Sequence, residues 1–299
     1  MPSPRALSAS GAQYVWYSSY GSNMLYARFL CYLRGGRVDG MVKDMPGSRD
    51  PTPPERWTRW DDIPYRLFFA HSSPTWDGGG VAFVDVDAPV TREQAADAFG
   101  RRRGAALADD PRGASDPPGA GAGGGSLGTA FRLYRVTLEQ FNDVLAQENG
   151  MLPGDARCRE LTPGEATALA EHWIDLAAAA PSSRATTTLL LPRAGSECAA
   201  LDPRWSGPPA QTRVSSERWY GHVKCIGAHE GEPVLTFTCD GAQLRDFRDG
   251  AVPANAPSEA YADVIRRGLV EMGASPEEAR RYVEERTNAP LVREKESTA

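Results

Sequence analysis

The sequence lacks the features that direct a protein to a membrane, a secretory route or a nucleic acid. No apolar run reaches the roughly 18 residues that a membrane-spanning helix requires, and residues 1–13 are polar, without the apolar segment of a secretory signal. The net charge is −6, and only Arg101–Arg103 form a tight basic run. We therefore expect no membrane partner, no nucleic-acid partner and a cytoplasmic location.

Cysteine and histidine are also scarce. The five cysteines are odd in number, far apart and without a CxxC pair, a pattern typical of reduced thiols in a cytosolic protein. The four histidines form no HExxH-like set. The nearest candidate is His222 with Cys225 and His229, but a strand would place the first two on opposite faces. The sequence therefore predicts no metal and no cofactor.

Two glycine motifs fall in or at the end of the Gly- and Pro-rich segment 108–127, and we interpret both as products of its composition. Gly119, Gly121 and Gly124 match GxGxxG, and residues 124–128 match GxSxG. The first motif must follow a strand and open a helix, and the second must lie on a strand-to-helix turn. Prolines precede the first motif and a predicted strand follows the second, so we expect a linker with no site.

The pattern of strands and helices predicts an α+β protein rather than a repeated βαβ unit. Aromatic and β-branched runs predict strands at Tyr14–Tyr17, Tyr65–Ala70, Val81–Val86, Thr129–Val136, Thr186–Leu191, Trp219–Ile226 and Val234–Cys239. Helix formers and capping boxes predict helices at Met24–Leu33, Thr91–Arg103, Thr137–Glu148, Pro163–Ala180, Ser258–Met272 and Pro276–Arg286. Residues 44–62 and 193–212 are expected to be loops.

The turn Tyr20-Gly21-Ser22-Asn23 is the first candidate site. It lies between the first strand and the first helix, where glycine lets the backbone turn sharply and approach a ligand. Successive N–H groups and the positive end of the helix dipole would form an anion receptor for a carboxylate. Alternatively, Ser22 or Asn23 simply caps the helix, and the spacing by itself favours that alternative.

Glu148 is the second candidate. It shares one helical face with Phe141, Val144 and Leu145, whereas the polar residues Gln140, Asn142, Asp143 and Gln147 fall on the solvated side. Desolvation and the negative end of the helix dipole would both raise its pKa, as an acid/base catalyst needs. If the helix frays before Glu148, the side chain is solvated instead, and the pattern leaves both interpretations open.

Tyr261 is a third, weaker candidate. It shares a helical face with Val264 and Ile265, and its default interpretation is a tyrosine of the hydrophobic core.

Four blocks, in the same order, resemble the γ-glutamylcyclotransferase-like superfamily. They are Tyr14–Asn23, Asp77–Phe83, the strand Gly128–Leu133 followed by Gln147–Gly150, and the helix start Pro257–Tyr261. Two departures stand out: Ser19 occupies a position where the family often has alanine, and Asn149 separates Glu148 from glycine. The resemblance implies a small mixed β-barrel flanked by helices, formed by residues 13–287 between two tails, 1–12 and 288–299. Insertions would lie at about 91–127 and 157–212.

The resemblance also implies a reaction, in which the α-amine of a small-molecule γ-glutamyl substrate attacks its own γ-carbonyl. The products are 5-oxoproline and a free amine or amino acid, which would place the chain in glutathione metabolism. Glu148 would carry the proton, while Tyr20, Gly21, Ser22, Asn23 and Tyr261 would bind the substrate, without metal or cofactor. The alternatives are a cyclotransferase for a γ-glutamylated amine or biosynthetic intermediate, and a non-catalytic binding module. The oligomeric state stays open.

Overall fold

The computed structural model describes residues 13–63, 65–85, 128–170, 187–190 and 219–288. Several predicted features lie outside these residues: the 1–12 tail, the Thr91–Arg103 helix, the linker with its glycine motifs, the 193–212 loop, residues 171–180 of one helix and the tail after residue 288. The described part holds eight strands. They are β1 (Tyr14–Ser19), β2 (Trp57–Ile63), β3 (Arg66–Ala70), β4 (Val81–Asp85), β5 (Thr129–Thr137), β6 (Thr187–Leu190), β7 (His222–His229) and β8 (Glu232–Thr238).

The helices pack around this sheet framework. They are α1 (Tyr26–Arg34), α2 (Leu138–Glu148), α3 (Gly241–Arg248), α4 (Glu259–Glu271) and α5 (Pro276–Asn288), and residues 163–170 are also helical. Single turns of 3-10 helix lie at Ser22–Met24 and Pro74–Trp76. Local capping signals fix several helix starts. Thr137 and Gln140 form the predicted box before α2, and Ser275 exchanges hydrogen bonds with Glu278 at the start of α5, so both predictions are confirmed.

Strand β1 lies in the middle of a six-stranded mixed sheet with the order β2-β5-β1-β8-β7-β6. It pairs antiparallel with β5 and parallel with β8, and its residues from Val15 to Ser19 are buried because both edges and both faces are covered. Strands β3 and β4 form a separate antiparallel pair. Among the described strands no pairing joins β2 to β6 and closes the sheet, so the barrel stays a prediction.

An aromatic cluster joins the central strand to α1, α2 and β8. The Tyr17 ring stacks on Phe29 and Phe237, at centroid distances of 5.6 and 5.2 Å, and meets the edge of Phe141 at 6.0 Å. Phe29 in turn stacks on Tyr134 of β5 at 4.0 Å. Such rings bury large areas and fix the elements that carry them. The cluster therefore sets how the end of β1 faces the end of α2.

Two elements differ from the sequence expectation. Residues 57–62, the end of the expected 44–62 loop, belong to edge strand β2, because Trp57 to Trp60 pair with Tyr134 to Phe131 of β5. Helix α3 was not anticipated, although Asp240 and Gln243 form a capping box at its start. The predicted strands at Trp219–Ile226 and Val234–Cys239 pair as the antiparallel hairpin of β7 and β8, with Glu230 and Gly231 of its turn both at positive φ.

Candidate active site

The turn after β1 and the end of α2 meet through a direct side-chain contact. The amide Nδ2 of Asn23 donates to Glu148 Oε1 at 2.8 Å and to the Tyr17 hydroxyl at 3.0 Å. Asn23 does not cap a helix, since α1 begins after Leu25 and has no side-chain cap. The capping alternative for Ser22 and Asn23 is therefore wrong, because the Asn23 amide is used to hold a carboxylate.

Helix α2 is buried on both sides, which corrects the expectation of a solvated polar face. Gln140, Asn142, Asp143 and Gln147 are all buried. Each is accommodated by hydrogen bonds to a neighbouring loop or helix: Gln140 to the Thr52 carbonyl, Asn142 to the backbone of Leu161, Asp143 from Arg49, and Gln147 to the Tyr32 carbonyl. The polar residues of α2 thus anchor the helix and fix where it ends.

The end of α2 is held by Asn149, the residue that departs from the expected Glu-Gly sequence. Its side chain donates to the carbonyls of Leu145 and Tyr220, both at 3.0 Å, and accepts from the Tyr220 amide at 3.1 Å. Because these bonds tie the last turn to the chain before β7, the helix does not fray at Glu148. Glu148 is half-buried, while both of its sequence neighbours, Gln147 and Asn149, are buried.

A buried arginine of α1 completes the surroundings of Glu148. Arg28 is 3% exposed, and its Nη2 donates to the Tyr32 hydroxyl at 2.8 Å, while its guanidinium lies over the Tyr32 ring at 4.1 Å. The Tyr32 hydroxyl in turn hydrogen bonds to Glu148. Sequence reasoning missed both residues. Their spacing of four places them on one side of α1, next to the buried Phe29 and Leu33, and that spacing is the signal that could have found them.

The surroundings of Glu148 shift the pKa of its carboxyl group in opposite directions. Burial raises its pKa above the usual value and is the largest influence, whereas the charge of Arg28 and the hydrogen bonds from Tyr32 and Asn23 lower it. The net shift is upward, in the direction expected from the sequence. A carboxyl group with a raised pKa can both accept and return a proton.

Gly21 lies where the backbone passes closely beneath Tyr261. A Cβ at position 21 would be 2.9 Å from the Tyr261 hydroxyl and 3.2 Å from Ala82 Cβ. The φ of Gly21 is −116°, so glycine is needed for this close approach and not for a left-handed turn. The Tyr261 hydroxyl accepts the N–H of Ala82 at 3.2 Å and a hydrogen bond from the backbone of Ser22. Burial raises the pKa of Tyr261 to about 12, so the hydroxyl keeps its proton.

Helix α4, which carries Tyr261, is docked directly on the turn. A Cβ at Gly268 would be 2.5 Å from the backbone nitrogen of Leu25 and 2.6 Å from the carbonyl carbon of Met24. On the other side of the turn, the carbonyl of Asn23 accepts from the Tyr134 hydroxyl at 2.8 Å, and that of Met24 accepts from Arg132 at 2.7 Å. The turn is therefore held between α4 and β5.

Two members of the predicted set contribute less than expected. The Tyr20 hydroxyl donates to the Phe237 carbonyl at 2.7 Å and its ring packs edge-on against Phe131, so this side chain joins strands. Ser22 is buried, and its backbone is bonded to Tyr261. The backbone receptor of residues 21–23 is therefore partly occupied by the tyrosine. Of the predicted residues, Asn23 contacts Glu148 directly, and Tyr261 contacts Gly21 and Ser22 of the same turn.

In the described part of the chain, no three or more His, Cys, Asp or Glu side chains lie close enough together to hold a metal ion. Likewise, none of the described helices is both long and apolar enough to cross a membrane.

Comparison with known proteins finds a similarity to a plant protein. The chain is 35% identical to histone deacetylase 5 of Arabidopsis thaliana over 280 residues, which is 93% of this chain and 31% of the relative. The chain therefore spans about a third of that protein's length. No protein-family model matches the chain, and no solved structure matches it.

This similarity contradicts the assignment to the γ-glutamylcyclotransferase-like superfamily. That assignment used four short blocks, whereas the similarity to a protein named as a histone deacetylase extends over 280 residues. The predicted cyclisation, the release of 5-oxoproline, the place in glutathione metabolism and the alternatives built on that family are corrected accordingly. The γ-glutamyl substrate was inferred from the same resemblance and has no other support.

Proposed function

We propose that the chain is an amide hydrolase that removes a small acyl group from an amine, with Glu148 as its general acid/base. The name of the relative supports the reaction class, since deacetylation is hydrolysis of an acetyl amide. The chain matches only part of that protein, so the activity is inferred here for this segment. The observation that carries the proposal is Glu148: a half-buried residue whose carboxyl group has a raised pKa and is bonded to Asn23 and Tyr32.

Amide hydrolysis needs a base and then an acid at nearly the same place. In the first step, ionised Glu148 takes a proton from water as the water oxygen bonds to the carbonyl carbon. In the second step, Glu148 returns that proton to the amide nitrogen as the carbon–nitrogen bond breaks. The products are a carboxylic acid and a free amine. A carboxyl group with a pKa closer to neutrality does both steps better than an ordinary one.

Tyr261 is suited to stabilise the negative charge that develops on the carbonyl oxygen. Its oxygen already accepts N–H groups from Ala82 and from the backbone of Ser22, which polarise the hydroxyl and strengthen it as a donor. Since its pKa is raised to about 12, the hydroxyl stays protonated at neutral pH. Gly21 keeps the turn directly against this hydroxyl, because any larger residue would carry a Cβ 2.9 Å from the Tyr261 oxygen.

The experiment is a hydrolysis assay on a panel of N-acetylated amines, including an acetyl-lysine peptide of histone sequence. Release of the amine is measured by a fluorogenic reagent, and the acyl product is identified by mass spectrometry. We expect turnover by the unmodified chain and a loss of kcat of at least about 100-fold in Glu148→Gln. Glu139→Gln, an exposed carboxylate on the same helix, is the matched control and should keep full activity.

Two results would reject the proposal. One is a panel on which no amine is released. The other is a Glu148→Gln variant that turns over as fast as the Glu139→Gln control. The mass of the acyl product also reports whether water or another acceptor receives the acyl group.

A further inference from the structure

Arg28 has hydrogen-bonding capacity that the protein does not use. Its Nη2 donates to Tyr32, but its Nε and Nη1 are buried without a hydrogen-bond partner. The guanidinium otherwise contacts aromatic rings, those of Tyr32 at 4.1 Å and Trp76 at 5.9 Å. Within the described residues no carboxylate is in direct ion-pair contact with it. A buried guanidinium in this state is costly unless an acceptor is supplied.

Two other buried arginines of the described residues have more acceptors than Arg28, although each keeps an Nε without a partner. Arg132 donates to Glu271 at 2.6 Å and to the carbonyl of Met24. Arg286 donates to the carbonyls of Tyr282 and Gly128. In each case the positive charge is met by at least two oxygen acceptors. Arg28, which is equally buried, is met by one hydroxyl, so the difference lies in its surroundings and not in its burial.

Glu148 does not neutralise Arg28 by direct contact. The two side chains interact through Tyr32, whose hydroxyl accepts from Arg28 and bonds to Glu148. Asn23 adds a second unused group, because its Oδ1 is buried without a partner while its Nδ2 holds Glu148. The surroundings of Glu148 therefore offer two unused donors and one unused acceptor. Glu148 and Gly21 are the partly exposed members of this group, so access from solvent is on their side.

We infer that the substrate carries a free carboxylate close to the scissile amide, that Arg28 binds this carboxylate, and that Asn23 Oδ1 accepts an N–H of the substrate. A guanidinium matches a carboxylate with two parallel hydrogen bonds along one edge. Because Nε and Nη1 lie on different edges of Arg28, the pair would be formed by one of these unpartnered nitrogens together with the second N–H of Nη2. The inference rests on the proposed function and narrows it to small N-acylated amino acids, in preference to an acetyl-lysine within a peptide.

Binding tests the inference independently of turnover. N-acetylglycine and its neutral analogue N-acetylglycinamide are titrated by calorimetry into the full chain carrying Glu148→Gln, which should not consume them. We expect N-acetylglycine to bind at least about tenfold more tightly. Adding Arg28→Met should remove this preference, and Arg28→Lys should keep part of it, since an ammonium retains the charge but not the paired donors. Arg280→Met, an exposed arginine on α5, should match the parent.

Three results would overturn the inference: equal affinity for the two ligands, no binding of either, or a preference unchanged by both Arg28 substitutions. If Arg28→Met fails to fold, the Arg28→Lys variant tests the inference, because lysine preserves the positive charge and the aliphatic part of the side chain. If the unmodified chain hydrolyses none of the amides but N-acetylglycine still binds more tightly than N-acetylglycinamide, the proposed function is rejected and the Arg28 site is retained. Hydrolysis without carboxylate preference would reject the Arg28 site alone.

Discussion

Replacing Gly268 with alanine is expected to destabilise the protein, although alanine is the better helix former. A Cβ at this position would lie 2.5 Å from the Leu25 nitrogen and 2.6 Å from the Met24 carbonyl carbon. Both are backbone atoms of the turn and cannot rotate away. Helix α4 would have to withdraw by about 1 Å to restore van der Waals contact near 3.5 Å.

The magnitude follows from two opposing effects. Overpacking of a buried contact costs about 1–3 kcal/mol, and two contacts this short belong at the upper end. The higher helix propensity of alanine returns up to about 1 kcal/mol. We therefore expect the free energy of unfolding to fall by about 2 kcal/mol, which corresponds to about 3 °C in Tm for a chain of this size. Urea and thermal unfolding followed by circular dichroism measure both quantities.

Gly164→Ala is the matched control. It lies in the helical segment 163–170, and a Cβ there would meet nothing within 4 Å. This variant should be neutral or stabilised by up to about 1 kcal/mol. Gly268→Ala should also lower hydrolytic activity, since α4 carries Tyr261 and the turn carries Asn23. A Gly268→Ala protein that is as stable as the Gly164→Ala control would refute the docking of α4 on the turn.

Two further predictions concern Glu148. The pKa of Glu148 is raised in the folded chain. Ionisation of Glu148 therefore lowers the free energy of unfolding as pH rises from the ordinary carboxyl range to the folded pKa, and below that range it has no effect on the free energy of unfolding. Glu148→Gln should thus be more stable than the unmodified chain at neutral pH and equal to it in acid; urea midpoints across pH that show no such convergence would contradict this. Tyr32→Phe removes a hydrogen bond that lowers the pKa of Glu148, so the acid limb of the pH profile of kcat/KM should move to higher pH. An unmoved limb would show that the hydroxyl does not act on this group.

The parts of the fold that sequence reasoning predicted are those with local causes. The capping boxes at Thr137 and Ser275 fix helix starts through side chains three residues away, so a single sequence reveals them. Strand β2 has a non-local cause: Trp57 to Trp60 become a strand because β5, more than 70 positions later, offers an unpaired edge. Its Trp- and Asp-rich sequence, which follows several prolines, gives no local sign of this.

The candidate site divides in the same way. Glu148 stands out from the helical period, and the turn from its glycine. Arg28 was missed because arginine is rarely buried, so a helical arginine is normally assigned to the solvated face. The polar residues of α2 were wrongly assigned to a solvated face, because their hydrogen-bond partners are distant in sequence. Asp143 and Gln147 are buried because Arg49 and the Tyr32 carbonyl provide partners, and neither partner is close in sequence.

The buried polar groups near the end of α2 fall into two sets with different consequences. Asn142, Asp143 and Asn149 form hydrogen bonds within the protein. Replacing one of these side chains would leave its partner without a hydrogen bond and loosen the helix. Arg28 and the Oδ1 of Asn23 have capacity left over, and that capacity surrounds Glu148, the carboxyl group whose pKa burial raises. A fold selected for stability alone would not leave a guanidinium short of acceptors beside a desolvated carboxyl group. Because the unpartnered groups of Arg28 and Asn23 both lie beside half-buried Glu148, we infer that a ligand is the partner that they lack.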